Sequence, residues 1–406
     1  MSIRQVSRAA LCTLCCLLIG AVAVAEPVVV NNGAESAEGL KVVGMTELWR
    51  AGGSDDEIFF GTLGAVRSDS EGNTYVLDSQ LSEVQVYAPD GEHLRTIGRE
   101  GDGPGEMRAP ADLFITSDGV INAMQSMPGR IVKLTPDGMP AGETTYSSGP
   151  DNPAQFGVLI AGRAAGQDMV LAGIRMVFSG GVNQQTYFLA RCDNDGMQKN
   201  IMFEKKHEVS MAEFSLDEME MDFVWGRMTV GPEGRVYAGT ERNAYVINVY
   251  GIDGSLEKTI TREFTAPPRD EMQKKIARQV IEAVGANYPV PPRSITIEDT
   301  DPVLGQLTVT DDGHIWAQTS TGNRETPDGT FVVLDVFGPD GKFQRQVALK
   351  GDHDASRDAI NILPNGRVVV VVGALDAWLN QQGATNQEEE AQEGEPLEVI
   401  CYQVDW

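Results

Sequence analysis

Three polar residues stand at one distance before a recurring glycine. Asp112, Arg227 and Gln306 lie seven residues ahead of Gly119, Gly234 and Gly313, and each of those glycines opens an apolar strand. A carboxylate, a guanidinium and an amide brought together can hold an anionic or sugar-like ligand through charge-assisted hydrogen bonds. Asp78 is a fourth candidate, because its counterparts Gln125, Ala172, Thr240 and Thr319 carry no charge. Two acidic runs, Glu298-Asp299-Thr300-Asp301 and Asp352-His353-Asp354, offer the oxygen donors that calcium takes. The DNDG of 193–196 lacks the later ligands of a calcium loop and reads as a turn. No Ser-His-Asp or Cys-His motif is visible, which weighs against an enzyme. The Gly-rich GREGDGPGEMRAP of 98–110 precedes a strand and has no Lys-Ser/Thr after it, so it is a tight connection and not a phosphate loop.

The elements that must position these residues are repeats. An apolar strand, a Gly turn, a second strand, a gap, a third strand and an Asp-Gly turn recur; TLGAVRSDSEGNTYVLDSQLSEVQVYAPDGEHLRTIG (62–98) is the clearest copy. The first turns fall at Gly72, Gly119, Gly166, Gly234, Gly313 and Gly366, spaced 47 to 79 residues apart. The second fall at Asp90-Gly91, Asp137-Gly138, Asp195-Gly196, Asp253-Gly254 and Asp340-Gly341. Asp-Gly supplies the positive φ of a tight hairpin. Six units of four short strands predict an all-β, six-bladed propeller.

The sixth unit ends before its fourth strand. VICYQVDW aligns with the third strands, and ELWRAGGS near the N-terminus matches the missing one, LRTIGREG. The pattern predicts that roughly Val42–Ala51 completes the last blade, leaving no open sheet edge there. Cys192 and Cys401 then fall on blades three and six, across the ring. Disulfide Cα atoms lie within about 7 Å of each other, so two free thiols are expected.

Strand alternation puts every short turn on one face and every long segment on the other: 139–156, 174–185, 198–224, 261–303, 320–329, 349–357 and 373–396. Binding residues concentrate on loops held by a rigid scaffold. The ligand, an unknown small molecule or protein, is therefore expected on the loop-rich face, over the central channel. Residues 267–284 predict a helix, with Asp270 and Glu271 at its start, Gly285 at its end and a stripe of Met272, Ile276, Val280 and Val284. QQGATNQEEEAQEGEP (381–396) predicts a disordered acidic loop. His93 on an outer strand and His314 beside a short turn cannot meet His207 and His353 in a three-histidine metal site.

Arg4 and Arg8, an uncharged run 9–25 and Ala23-Val24-Ala25 before Glu26 form a secretory signal pattern. The expectation is a cleaved peptide 1–25, a linker 26–40 and a propeller 41–406 with insertions 198–224, 261–303 and 373–396, in the periplasm or outside the cell. No other apolar stretch reaches the about 20 residues of a membrane span. Cleavage removes two arginines and no acid, taking the formal charge from −27 to −29. Such a chain repels nucleic acid.

With VQVYAPDGEHLRTI before it, GREGDGPGEMRAP resembles the interblade crossing of NHL-type propellers, and most of all that of exported bacterial six-bladed β-propeller proteins. That group's crossing reads G-x-x-G-x-GPGEF, with Phe where Met107 stands here. NYPVPPR (287–293) followed by GHIWAQ (313–318) resembles the group's Pro-rich link and Trp-bearing strand. The resemblance spans about 45–406 and implies a periplasmic or surface binding protein with no cofactor. Some relatives of this fold are lyases holding metal on histidines, or lactonases holding calcium. A calcium-dependent lactonase-like or lyase-like enzyme, with its site at the channel mouth, is thus the alternative.

Overall fold

All eleven turn glycines read from the sequence, Gly72 to Gly366, take positive φ between 68° and 93°. At Gly91 this freedom is matched by space, because a Cβ there would sit 2.3 Å from the Cβ of Trp49. The computed structural model describes residues 26–54, 58–149, 156–363, 365–383 and 396–406. The signal pattern 1–25 and most of the acidic loop (384–395) lie outside them.

The turns fold six antiparallel four-stranded blades. Their first strands are Leu63–Ser68, Pro110–Ile115, Phe156–Ala165, Met228–Val230, Leu304–Val309 and Ala359–Ile362. The chain is a six-bladed β-propeller. Its apolar core is six layers, each shared by two neighbouring blades. Ile131, Leu159 and Phe188 lie between blades two and three; Trp316, Val347 and Val370 lie between five and six.

The ring closes as the sequence predicts. Three N-terminal strands are β1 (Val28–Asn32), β2 (Leu40–Val43) and β3 (Met45–Gly52). β3 pairs antiparallel with Glu398–Val404, Cys401 opposite Trp49, and completes blade six. The closing strand starts later than the expected Val42, because Val42 and Val43 belong to β2. β2 runs parallel to Phe343–Lys350 at the edge of blade five, and β1 runs parallel to Leu256–Arg262 at the edge of blade four. The expected linker 26–40 thus holds one added strand, β1, and runs into a second, β2. Asn32 binds it down: its amide donates to Thr261 O and its Oδ1 accepts from Phe343 N.

Blade three departs from the expected loops. Residues 174–185 are no loop, since Asp168–Ser179 and Val182–Cys192 form one long hairpin. Gln198–Ser210 runs beside it as a 13-residue strand, so only 211–224 of the 198–224 segment is inserted. The period-two pattern simply continues past the blade body as a three-stranded tongue, with Phe178 65% exposed at its tip.

Three helices appear among the described residues: α1 (Glu218–Met221), α2 (Glu271–Gly285) and α3 (Ala374–Gln381). α2 is the predicted helix, and Asp270 and Gln273 close a reciprocal capping box at its start. Its buried face is rotated from the expected stripe. Ile281 packs with Val209, Phe214 and Leu216, while Met272 stays 57% exposed.

Cys192 and Cys401 are buried and unbridged, in different interblade layers. Burial pushes their thiols up, to about 12 and about 11. The thiolate is the reactive form, so a chain beginning at Glu26 should take up no maleimide while folded and two labels in guanidinium. Fewer than two labels after unfolding without reductant would show a bridge.

Candidate functional site

The first strands line the central channel, and their charged side chains meet in one cluster. Asp112, on blade two, accepts four hydrogen bonds. Oδ1 takes Arg67 Nη2 at 2.5 Å and Leu113 N at 2.8 Å; Oδ2 takes Arg163 Nη1 at 2.8 Å and Gly162 N at 2.9 Å. A carboxylate has about four acceptor positions, so Asp112 is saturated. Arg67 and Arg163 come from blades one and three, and each keeps 23% of its side chain open while Asp112 keeps 7%. Burial and then the charge of Arg163 hold the Arg67 guanidinium down, at about 10.

These arginines line a cavity of about 160 Å³ that touches all six first strands. Its wall includes Ser68, Phe114, Ile115, Gln306, Thr308 and Asn361. Most of these residues immediately precede the six Gly turns, so the cavity opens on the short-turn face.

The four sequence candidates do not converge. Asp112 is the hub just described. Gln306 lines the cavity without a hydrogen bond to it. Arg227 is 3% exposed, and its Nη2 donates to Asp222 Oδ2 at 2.7 Å and Phe223 O at 2.6 Å, which pins the chain after α1 to blade four. Asp78 is fully buried and accepts from the backbone N–H groups of Gly61, Gln80 and Leu81, knotting the entry of blade one to its second hairpin. The sequence reading missed Arg67 and Arg163. They stand five and three residues before their glycines, nearer the turn than the position seven before that singled out Asp112.

On the loop-rich face, ion pairs fix the insertions. Glu218 on α1 accepts from Arg242 Nη2 at 2.7 Å, from Arg269 Nη1 and Nη2 at 2.8 Å each, and from Glu298 N at 2.9 Å. Asp301 accepts from Arg269 Nε at 2.6 Å and from Arg324 Nη2. The arginine side chains of 242 and 269 are only 2% and 4% exposed. Four separate segments are thereby joined into one platform.

The same pairs remove the first calcium candidate. Asp301 faces two guanidiniums, and Asp299 pairs with Lys274 at 2.9 Å, so that run offers cations where an ion would need free oxygens. In the second run, Asp354 accepts from Ser356, and His353 Nε2 meets the Tyr402 hydroxyl at 2.9 Å. Among the described residues no three His, Cys, Asp or Glu side chains gather as metal ligands.

Comparison with known proteins agrees with the blade architecture. Residues 54–148, blades one and two, match the family described as 6-bladed beta-propeller. The resemblance carried by the Gly-rich crossing therefore holds over this stretch. No curated protein matches the chain. Among solved structures, a Bacteroides fragilis protein is 10% identical with a TM-score of 0.48, over 93% of this chain and 100% of that one. Virginiamycin B lyase from Staphylococcus aureus is 10% identical with a TM-score of 0.42, over 87% and 98%. The calcium-binding protein regucalcin from Agrobacterium tumefaciens is 12% identical with a TM-score of 0.43, over 89% and 96%. No helix among the described residues is long and apolar enough to cross a membrane.

Proposed function

We propose that the protein is an exported binding module that holds a partner protein on its loop-rich face and catalyses no reaction. The observation that carries this reading is the platform. Four segments on this face are joined through Glu218 and Asp301 into a fixed surface, and a pre-ordered surface binds at a lower ordering cost. Beside it the tongue of blade three raises Val177 and Phe178 into solvent, 39% and 65% exposed. A projecting apolar tip suits a protein surface better than a small ligand, which needs a hollow. The signal pattern supports export, and the net charge of −27 disfavours polyanionic partners.

A photo-crosslinking amino acid placed at Phe178 should give a discrete protein adduct in the cells that make the protein. The same group at Ser70, exposed in a turn on the other face, should give none. Equal crosslinking from both positions, or none from Phe178, would overturn the reading.

A further inference from the structure

We infer that the channel cavity on the short-turn face is a second binding site, built for a short monocarboxylate such as a small hydroxy acid. It lies opposite the platform and does not rest on the partner-binding reading. Among the described residues, Arg67 and Arg163 are the only charged ones in the cavity wall. Asp112 neutralises one of the two guanidiniums and has no acceptor position left. A charge of +1 therefore remains inside a protein whose total is −27. Like charges this close repel strongly where water is scarce, and one bound anion balances them.

Donors for that anion are in place. Arg67 keeps to the cluster, with Nη1 on Val66 O, Nη2 on Asp112 and Nε closed off by burial. Arg163 spends only Nη1, on Asp112 and on the carbonyl of Gly162, which leaves Nε and Nη2. The guanidinium fork matches a planar carboxylate. The single spare charge selects a monoanion over a phosphate dianion. A cavity of about 160 Å³ suits a small ligand. Gln306 and Thr308 can reach a hydroxyl on it, and Phe114 and Ile115 can take its apolar end.

The test follows thermal unfolding of the purified chain against sodium lactate, with sodium chloride at equal ionic strength as reference. Lactate at about 100 times its dissociation constant should raise the midpoint by roughly 3 °C and continue to raise it with the logarithm of its concentration, and chloride should not. R163M should abolish the lactate response. D112N removes the internal competitor and should tighten lactate about tenfold, although it loosens the resting cluster. A structural cluster alone would lower the midpoint in both variants and leave no lactate response to change. The inference fails if lactate and chloride act alike on the wild type, and that comparison stands even where a variant does not fold. It fails equally if R163M keeps the wild-type response.

Discussion

Replacing Trp49 with alanine is expected to lower the unfolding free energy by about 3–5 kcal/mol, read from the shift of the chemical denaturation curve. Trp49 is 7% exposed and sits at the middle of β3, the strand that closes the ring. Its ring stacks on Tyr87 of blade one, with centroids 5.0 Å apart and planes 21° apart. It also packs with Val369 and Cys401 and fills the space left by Gly91. One side chain thus links the closing strand to both the last and the first blade, and alanine leaves a cavity at the seam. W49F should lose much less, because it keeps the stack and removes an indole N–H that is buried without a partner. The Arg50 pairs with Glu47 and Glu398 on the outer surface of the same strand contribute little, as exposed pairs do. A W49A variant within 1 kcal/mol of wild type would show that the seam does not depend on this contact.

The second large effect is expected at Glu218. E218Q should cost about 3 kcal/mol, because breaking a buried pair strands the charges left behind, here those of Arg242 and Arg269. Hydrogen exchange would report the loss locally, as faster exchange in α1, at 268–270 and at 298–301, with the blade interiors unchanged. The pH dependence gives a separate check. Burial alone would raise the Glu218 carboxyl, but the hydrogen bonds from Arg269 and Glu298 N and the charges of Arg269 and Arg242 outweigh it and hold it below its ordinary 4.5. A carboxyl depressed in the folded state contributes stability above its unfolded pKa and loses it as pH falls through the folded one. Platform protection in the wild type should therefore fade below about pH 4.5. E218Q should lack that step, and an identical acid profile in both proteins would remove Glu218 from the role.

The blades and their closure were legible because turns have strict local demands. Asp-Gly and Gly turns need positive φ, and only a few residue types supply it, so six copies of one punctuation define six blades. The missing fourth strand could be sought because every other blade has one. The place of β1 was not legible. VVVNN reads as a strand, but nothing local says that its partner is Leu256–Arg262, about 230 positions away. The tongue escaped for a related reason: Gly180-Gly181 marks a turn without saying how far the hairpin extends beyond the blade body. In the channel, the type of residue was right and the register was not. Only one position on each strand was counted, so Asp112 was found while Arg67 and Arg163, its two partners nearer their turns, were passed over.

The seam also fixes an order of events. Arg50 and Glu398 meet across 348 positions, so β3 must wait for the rest of the chain before it can pair. Distance adds little to the final balance, since doubling a closed loop costs only about 0.6 kcal/mol. It acts instead on rate, because distant pairings form slowly. Until Glu398–Val404 arrives, β3 and the open side of blade six remain two unpaired edges on an otherwise ordered chain. Unpaired edges of this kind are where aggregation starts, so the seam is the part of the ring most exposed before it closes.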